Sequence, residues 1–424
     1  MSDERKVPTG RLARVTRMAR VGVRTGLSVL GGGDGSAAAL QAVELLGNLR
    51  GIAAKVGQMA SYIDGFIPEP QRVAYERVLA GLQTATVASP FAEVRGVLEA
   101  ELGSSLEQAF AELDEVPIAS ASIGQVHRAR LHDGRAVAVK VQHPGIDLAI
   151  EADLKSAGAM TSVVSLLGPR SLNPQAVFDE VAERFREELD YQHEAAQQTA
   201  FAAMHAGDPR VIVPAVIASH STKRVLCTEL AVGQSFAEVL HAPASLRRTY
   251  AELLWHFVFK GLLVHGRFNA DPHPGNFIFH PDGRITFLDF GCIQTLSPEQ
   301  TRGAHEMHAS TIAGDQARFM RAAAFMSGTQ PGPYERDLLA YLWRCYEPLK
   351  HSPFHMTAEY VTGVVHGIQE LKGHMLRKSS NVTPIPRGLV FTNRLQFGFY
   401  SVLARLNVDA DYVSVARELL KLTP

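Results

Sequence analysis

Apolar and polar positions change their period several times along this chain. From residue 37 to about 113 the apolar residues recur at helical spacing and are broken at Pro68, Pro70 and Pro90, which predicts a run of helices. The pattern changes at Pro117. Residues 123–131 and 135–142 alternate like strands, and Asp133-Gly134 between them signals a hairpin. Asn173 followed by Pro174 predicts an N-cap with proline at the first helical position, opening a helix that runs to about Ala206. Residues 211–217 and 224–229 read as further strands, 230–233 as a link between lobes, and the rest as helical apart from a hairpin over 277–288, whose Asp282-Gly283, read as a two-residue turn, sets Asn276 opposite Asp289. The expected organisation is a basic segment (1–36), a helical extension (37–113), a lobe with a small antiparallel sheet (114–232) and a mainly helical lobe (233–424), an α+β arrangement.

Charge adds one local feature and removes a class of partner. Arg11, Arg14, Arg17, Arg20 and Arg24 follow one another in steps of three and four, which lines them along one side of a helix. Such a face is solvated, or docks on a membrane surface or partner, or belongs to a transit peptide, the last weakened by Asp3 and Glu4. Over the whole chain 42 Lys and Arg balance 43 Asp and Glu, so no nucleic-acid partner is expected. The 46% hydrophobic and 20% charged composition is that of a folded protein.

Cys227, Cys292 and Cys345 are too few and too scattered for a disulfide framework or a zinc site, which fits a reducing compartment. The longest apolar stretches, 158–168 and 253–264, fall short of the ~18 to 20 residues of a membrane span. With no secretory signal in view, the expected location is cytoplasmic, with any membrane contact peripheral.

The chemistry is concentrated in four places. Lys140 closes the apolar run Val137-Ala138-Val139, and about 20 residues earlier lies a loop of small residues, Ala119-Ser120-Ala121-Ser122-Ile123-Gly124. Small side chains let backbone N–H groups approach phosphate oxygens, and the lysine adds the positive charge. Asp271 and Asn276 stand five positions apart in Asn269-Ala270-Asp271-Pro272-His273-Pro274-Gly275-Asn276, the spacing of a kinase catalytic loop. There the Asp orients or deprotonates the nucleophile and the Asn binds a metal. Asp289 leads Asp289-Phe290-Gly291 at the exit of a strand, suited to hold Mg²⁺ against phosphates. ATP and Mg²⁺ are therefore the expected ligands. His273, wedged between Pro272 and Pro274, is read as a brace for the loop, with a metal or general-base role as the alternative. Cys292 is read as a small buried residue.

Taken in order, Lys55-Val56-Gly57-Gln58, Ile123-Gly124-Gln125-Val126, residues 137–142, Glu188-Leu189-Asp190-Tyr191 with Glu194, Asp271 to Asn276 and Asp289-Phe290-Gly291 resemble the UbiB family. These are the AarF-domain-containing atypical kinases linked to coenzyme Q biosynthesis. The resemblance implies a two-lobed protein-kinase-like fold whose alanine-rich loop replaces a glycine-rich one. It also implies an N-terminal extension whose Lys-x-Gly-Gln motif restrains ordinary protein-kinase activity. On that basis Lys55, with Gln58, is expected to meet Glu188 and Asp190, and Glu194 is expected to pair with Lys140. Ser120 stands where the family often has alanine, a change that bears on nucleotide preference.

The function expected from all this is a Mg-dependent ATPase or phosphotransferase serving ubiquinone or lipid metabolism at a membrane surface, its partners a nucleotide and a quinone-precursor lipid. Two alternatives stay open: a small-molecule phosphotransferase of the aminoglycoside or choline kinase type, which shares the Asp-x-x-x-x-Asn loop, and a pseudokinase that binds ATP as a switch.

Overall fold

The computed structural model describes residues 88–155 except 122 and 153, residues 179–377 except 180, 181 and 184, and residues 398–421. The basic segment, the extension through residue 87 with Lys55 and Gln58, Ser122, and the helix start expected at Asn173-Pro174 lie outside the described residues. The described residues fall into two compact units, one from within 88–97, 115–127, 141–155 and 179–185, the other from within 98–114, 128–140 and 186–421.

In chain order, helices α1 (Phe91–Leu102) and α2 (Leu106–Ala109) precede strands β1 (Glu112–Leu113), β2 (Ala119–Ser120), β3 (Gly124–Arg130) and β4 (Ala136–Gln142). Helix α3 (Tyr191–His205) follows, then β5 (Val211–Ile212) and β6 (Val225–Glu229). The first sheet has the order β1-β3-β4-β6, with β2 on β3. Along β4 the pleat buries Val137, Val139 and Val141 completely, which turns Lys140 to the opposite face.

Beyond the link, α4 (Phe236–Val239) and α5 (Ala244–His265) lead into β7 (Arg267–Asn269), β8 (Phe277–Phe279), β9 (Ile285–Phe287) and β10 (Ile293–Thr295). Helices α6 (Pro298–Ile312), α7 (Gln316–Ser327) and α8 (Pro333–Cys345), strand β11 (Phe354–His355), helices α9 (Ala358–Arg377) and α10 (Tyr400–Leu406), strand β12 (Asp409–Ala410) and helix α11 (Tyr412–Lys421) complete the chain. Gly233 in the link is required by close approach: a Cβ there would lie 2.7 Å from both the Phe279 carbonyl and the Ile278 side chain. The contact exists because Gln234 and Phe279 exchange backbone hydrogen bonds of 2.8 and 2.9 Å.

Three expectations about these elements need correction. The segment 211–217 is not one strand. Pro214 has no N–H to offer a ladder, and the segment divides there: Val211 and Ile212 run parallel to β9, whereas Ile217 donates to Cys227 of β6 at 2.8 Å. The helix expected to run unbroken to Ala206 is interrupted before Tyr191. Asp190 has left helical geometry (φ −116°, ψ 92°), and its Oδ1 accepts from the N–H groups of Gln192 and His193 at 3.0 and 3.3 Å, so α3 begins afresh with Asp190 as its N-cap.

The third correction concerns turns. If Asp282-Gly283 were a two-residue turn, Asn276 would face Asp289. Instead His280 and Arg284 close a three-residue loop, with Gly283 left-handed at φ 89°, and the ladder pairs Phe277 with Phe287. The register moves by one: Leu288 donates to the Asn276 carbonyl at 2.8 Å, and Asp289 lies just past the ladder. The β3–β4 hairpin uses the same device, with Gly134 also at φ 89°. In each turn the aspartate accepts from both the backbone N–H and the guanidinium of the arginine two residues on, Asp133 from Arg135 and Asp282 from Arg284.

Helix α5 explains the apolar run 253–264. Residues 250–259 are buried in all directions except at Glu252, as befits a helix in the middle of a core rather than on its surface. Trp255 packs on Phe259 and Tyr412 with ring centroids 4.3 and 4.4 Å apart, and Phe257 stacks on Phe287 at 3.6 Å. Among the described residues no helix is long and apolar enough to cross a membrane.

Two histidines are sealed in this core. His205 stacks on Phe257 at 4.6 Å, and His308 donates from Nδ1 to the Ala304 carbonyl at 2.8 Å. Burial lowers their pKa values to about 3 and about 4, far below the ordinary 6.5, because an imidazolium has no water there. The unfolded chain therefore binds protons that the folded one refuses. The associated stability is fully present above pH 6.5 and drains away as pH falls toward 4, amounting to about 2 kcal/mol for each histidine between pH 7 and pH 5. Urea unfolding at the two pH values should show this drop, and His205→Leu should make it shallower. The same drop in both proteins would mean that His205 does not contribute.

Candidate functional site

Lys140 of β4 and Glu194 of α3 meet as expected. The Nζ donates to both carboxylate oxygens of Glu194, at 2.8 and 2.9 Å, and lies 3.6 Å from Oδ2 of Asp289. The Glu194 side chain is 6% exposed and that of Lys140 20%. Burial alone would lower the pKa of this ammonium, but the Asp289 and Glu194 carboxylates outweigh it and hold Lys140 well above its ordinary value, so it stays charged. Its Nζ also sits 5.0 Å from the ring centroid of the fully buried Tyr191.

These contacts follow from the start of α3. With Asp190 as N-cap, residues 191, 194, 198, 201 and 205 form the buried stripe, which places Tyr191 and Glu194 on one face. Further along the stripe, Phe201 packs against Phe290 of Asp289-Phe290-Gly291, with centroids 5.2 Å apart. Asp190 thus shapes the helix that carries Glu194, and Glu188 is half-buried at the end of the helical segment before it. The expected partner of both, Lys55, lies outside the described residues.

The loop after β7 is held largely through its backbone. The Asp271 carbonyl accepts from the His273 N–H at 2.8 Å and from Nδ2 of Asn276 at 3.2 Å. His273 accepts at Nδ1 from the Gly275 N–H at 3.1 Å, which makes it the brace of a 3₁₀ turn at Pro274–Asn276. Asn269 reaches across: its Oδ1 accepts from the Asp271 N–H and its Nδ2 donates to the Asp289 carbonyl, both at 2.8 Å. Asp289 has a left-handed backbone, φ 58°, and its Oδ1 accepts from the Gly291 N–H at 3.1 Å. Cys292 is half-buried, not fully enclosed as expected, since it lies on the short strand connection that pairs back to Ala270.

The small-residue loop belongs to the other unit. Ala119 and Ala121 are exposed, Ser120 is half-buried, and Ile123 is buried. The Ala121 N–H is turned inward onto the Gly124 carbonyl at 2.7 Å, so that donor serves the turn itself. His143 donates from Nε2 to the Ala121 carbonyl at 3.1 Å, and its Nδ1 accepts from the Ser89 hydroxyl at 3.0 Å. Gln125 accepts the Ser89 N–H at 2.7 Å. Ser89, Gln125 and His143 therefore fix the loop's shape, a role the sequence reading did not assign.

Tyr191 and Asn269 were also missed as site residues. Tyr191 could have been found from its helical spacing to Glu194, once Asp190 is recognised as a cap. Asn269 had a local signal only for its bond to the Asp271 N–H two residues on; its bond to the Asp289 carbonyl is set by the meeting of segments 20 residues apart.

A magnesium ion fits these residues. Asp289 offers a carboxylate 40% exposed, and Asn276 commits its Nδ2 to Asp271, so that Oδ1 is the atom with which it would ligate. Hard oxygen donors suit Mg²⁺, which takes one or two protein ligands and completes its shell with phosphates and water. The described residues hold no cluster of three or more His, Cys, Asp or Glu side chains, so a self-sufficient metal cage is not what they build.

Comparison with known proteins gives the family and the fold. Residues 81–323 match the family described as the ABC1 atypical kinase-like domain. The atypical kinase COQ8B, mitochondrial, of Rattus norvegicus is 32% identical over 339 residues, covering 76% of this chain and 63% of that protein. The atypical kinase coq-8, mitochondrial, of Caenorhabditis elegans is 29% identical over 387 residues, covering 89% and 50%. The chain spans less than two thirds of the length of these relatives. Among solved structures, the complex of Rv3197 with erythromycin from Mycobacterium tuberculosis matches with a TM-score of 0.64 at 31% identity, covering 86% of this chain and 90% of that one. The fold is the two-lobed α+β architecture of the kinases, and the chain belongs to the ABC1 atypical kinase-like family, that is, the UbiB family.

Proposed function

We propose that this protein binds Mg-ATP and turns it over slowly, as an ATPase or phosphotransferase acting on behalf of quinone or lipid metabolism at a membrane surface. The observation that carries the reading is the placement of Lys140, held between Glu194 at 2.8 Å and Asp289 at 3.6 Å. A buried ammonium that keeps its charge, set beside a carboxylate still partly open to solvent, is an arrangement for phosphate and its cation. Lys140 draws phosphate oxygens, and Glu194 fixes where it does so. Asp271 orients the attacking hydroxyl or water and accepts its proton. Asn276 and Asp289 would hold Mg²⁺, which when bound neutralises the charge on the phosphate oxygens. The quinone setting is supported by the UbiB resemblance.

The test uses the full chain. Wild type should show a Mg-dependent rise in melting temperature with ATP and slow hydrolysis, stimulated by anionic vesicles carrying a phenolic quinone-precursor mimic. Asp289→Asn removes the ligating charge and should lose most of the Mg-dependent shift. No shift in wild type, or an equal shift in the variant, would rule out this site as the nucleotide site.

A further inference from the structure

We infer that Asn269 is a positioning residue whose one amide group sets the metal-binding aspartate against the catalytic loop. The inference rests on the Mg-nucleotide reading above. Asn269 is itself firmly placed. As the last residue of β7 it pairs with Ile293 of β10, and the next residue, Ala270, donates to the Cys292 carbonyl at 2.9 Å. Its backbone is thus tied to the strand that leaves Asp289-Phe290-Gly291.

The side chain then closes a bridge. Oδ1 takes the Asp271 N–H and Nδ2 gives a hydrogen bond to the Asp289 carbonyl, each at 2.8 Å. The orientation of the amide is fixed by its partners, since an N–H needs an acceptor and a carbonyl needs a donor. Asp289 and Asn407 are the non-glycine residues with positive φ among those described, and L side chains enter that region only at a cost. The bond from Asn269 falls on the carbonyl of the residue so held. Because Asn276 also donates to the Asp271 carbonyl, the two residues that would hold Mg²⁺ are linked through Asp271 and Asn269.

Asparagine suits this place because one planar group must both accept and donate. Aspartate retains the acceptor and sets a second negative oxygen against the Asp289 carbonyl. Alanine has neither function. Groups of this kind behind metal ligands tune affinity without touching the ion.

The experiment measures the Mg²⁺ concentration giving half of the ATP-dependent melting shift in wild type, Asn269→Ala and Asn269→Asp, together with ATP binding in EDTA and kcat and KM. Both variants should need about 10- to 100-fold more Mg²⁺. Binding in EDTA, which depends on Lys140, should stay within about twofold of wild type, and kcat at limiting Mg²⁺ should recover as Mg²⁺ is raised. Asn269→Asp is nearly isosteric, so it carries the test if the alanine variant does not fold. Unchanged Mg²⁺ dependence in the folded variants would overturn the inference, as would an equal loss in EDTA, which would mark a purely structural role. A wild type without any Mg-dependent shift would remove the nucleotide reading and this inference with it.

Discussion

Asp271→Asn should lower ATP turnover by about 10²- to 10⁴-fold, the usual contribution of a positioned general base, while Mg-nucleotide binding persists. The geometry separates the two effects. The bonds that shape the loop around this residue use its backbone: the N–H goes to Asn269, and the carbonyl accepts from His273 and Asn276. An isosteric amide keeps that backbone arrangement and removes the basic carboxylate. Hydrolysis rate and nucleotide-dependent melting, measured on the same preparation, would check it. Turnover at the wild-type rate would show that Asp271 is not the group that handles the nucleophile.

Glu194→Ala should be the most damaging change to the fold of the site, destabilising the protein by about 3 to 5 kcal/mol. It strips both short bonds from Lys140 and leaves an ammonium 20% exposed with the Asp289 carboxylate, 3.6 Å away, as its anionic partner among the described residues. Glu194→Gln keeps the shape and one acceptor, so its loss should be smaller, although the charge balance around Lys140 changes in the same direction. Urea unfolding of the three proteins gives the comparison. A loss below about 1 kcal/mol for the alanine variant would mean that Lys140 had found solvent or Asp289 at little cost, as exposed pairs do.

The parts of the site legible in the sequence are those set by local spacing. Lys140 could be read from an alternating strand, the Asp271 to Asn276 interval from one loop, and Asp289 from the end of a hairpin. Glu194 followed from the family resemblance, and the α3 stripe gives the physical reason for its place. What escaped depends on choices a linear pattern does not display. The hairpin register turned on whether the loop had two residues or three, which depends on a left-handed Gly283. The interruption before Tyr191 was not legible because Asp190, a good cap, sits inside an otherwise helical pattern. Pro214 divided a run whose composition favoured a strand throughout, because a missing donor outweighs side-chain preference in a ladder. Asn269 and the Ser89, Gln125 and His143 braces act between segments, and no periodicity encodes such meetings.

The buried stripe of α3 has a mechanical consequence. Glu194, which grips Lys140, and Phe201, which rests on Phe290, stand seven residues apart on one side of the same helix, about 10 Å along its axis. An α-helix hardly stretches over two turns, so it acts as a stiff rod joining a charged contact at one end to an apolar contact at the other. A slide or roll of the rod that pulled the carboxylate from the lysine would also draw the Phe201 ring off Phe290. In a slide or roll the two grips are released together, whereas a tilt about one end would free the other alone.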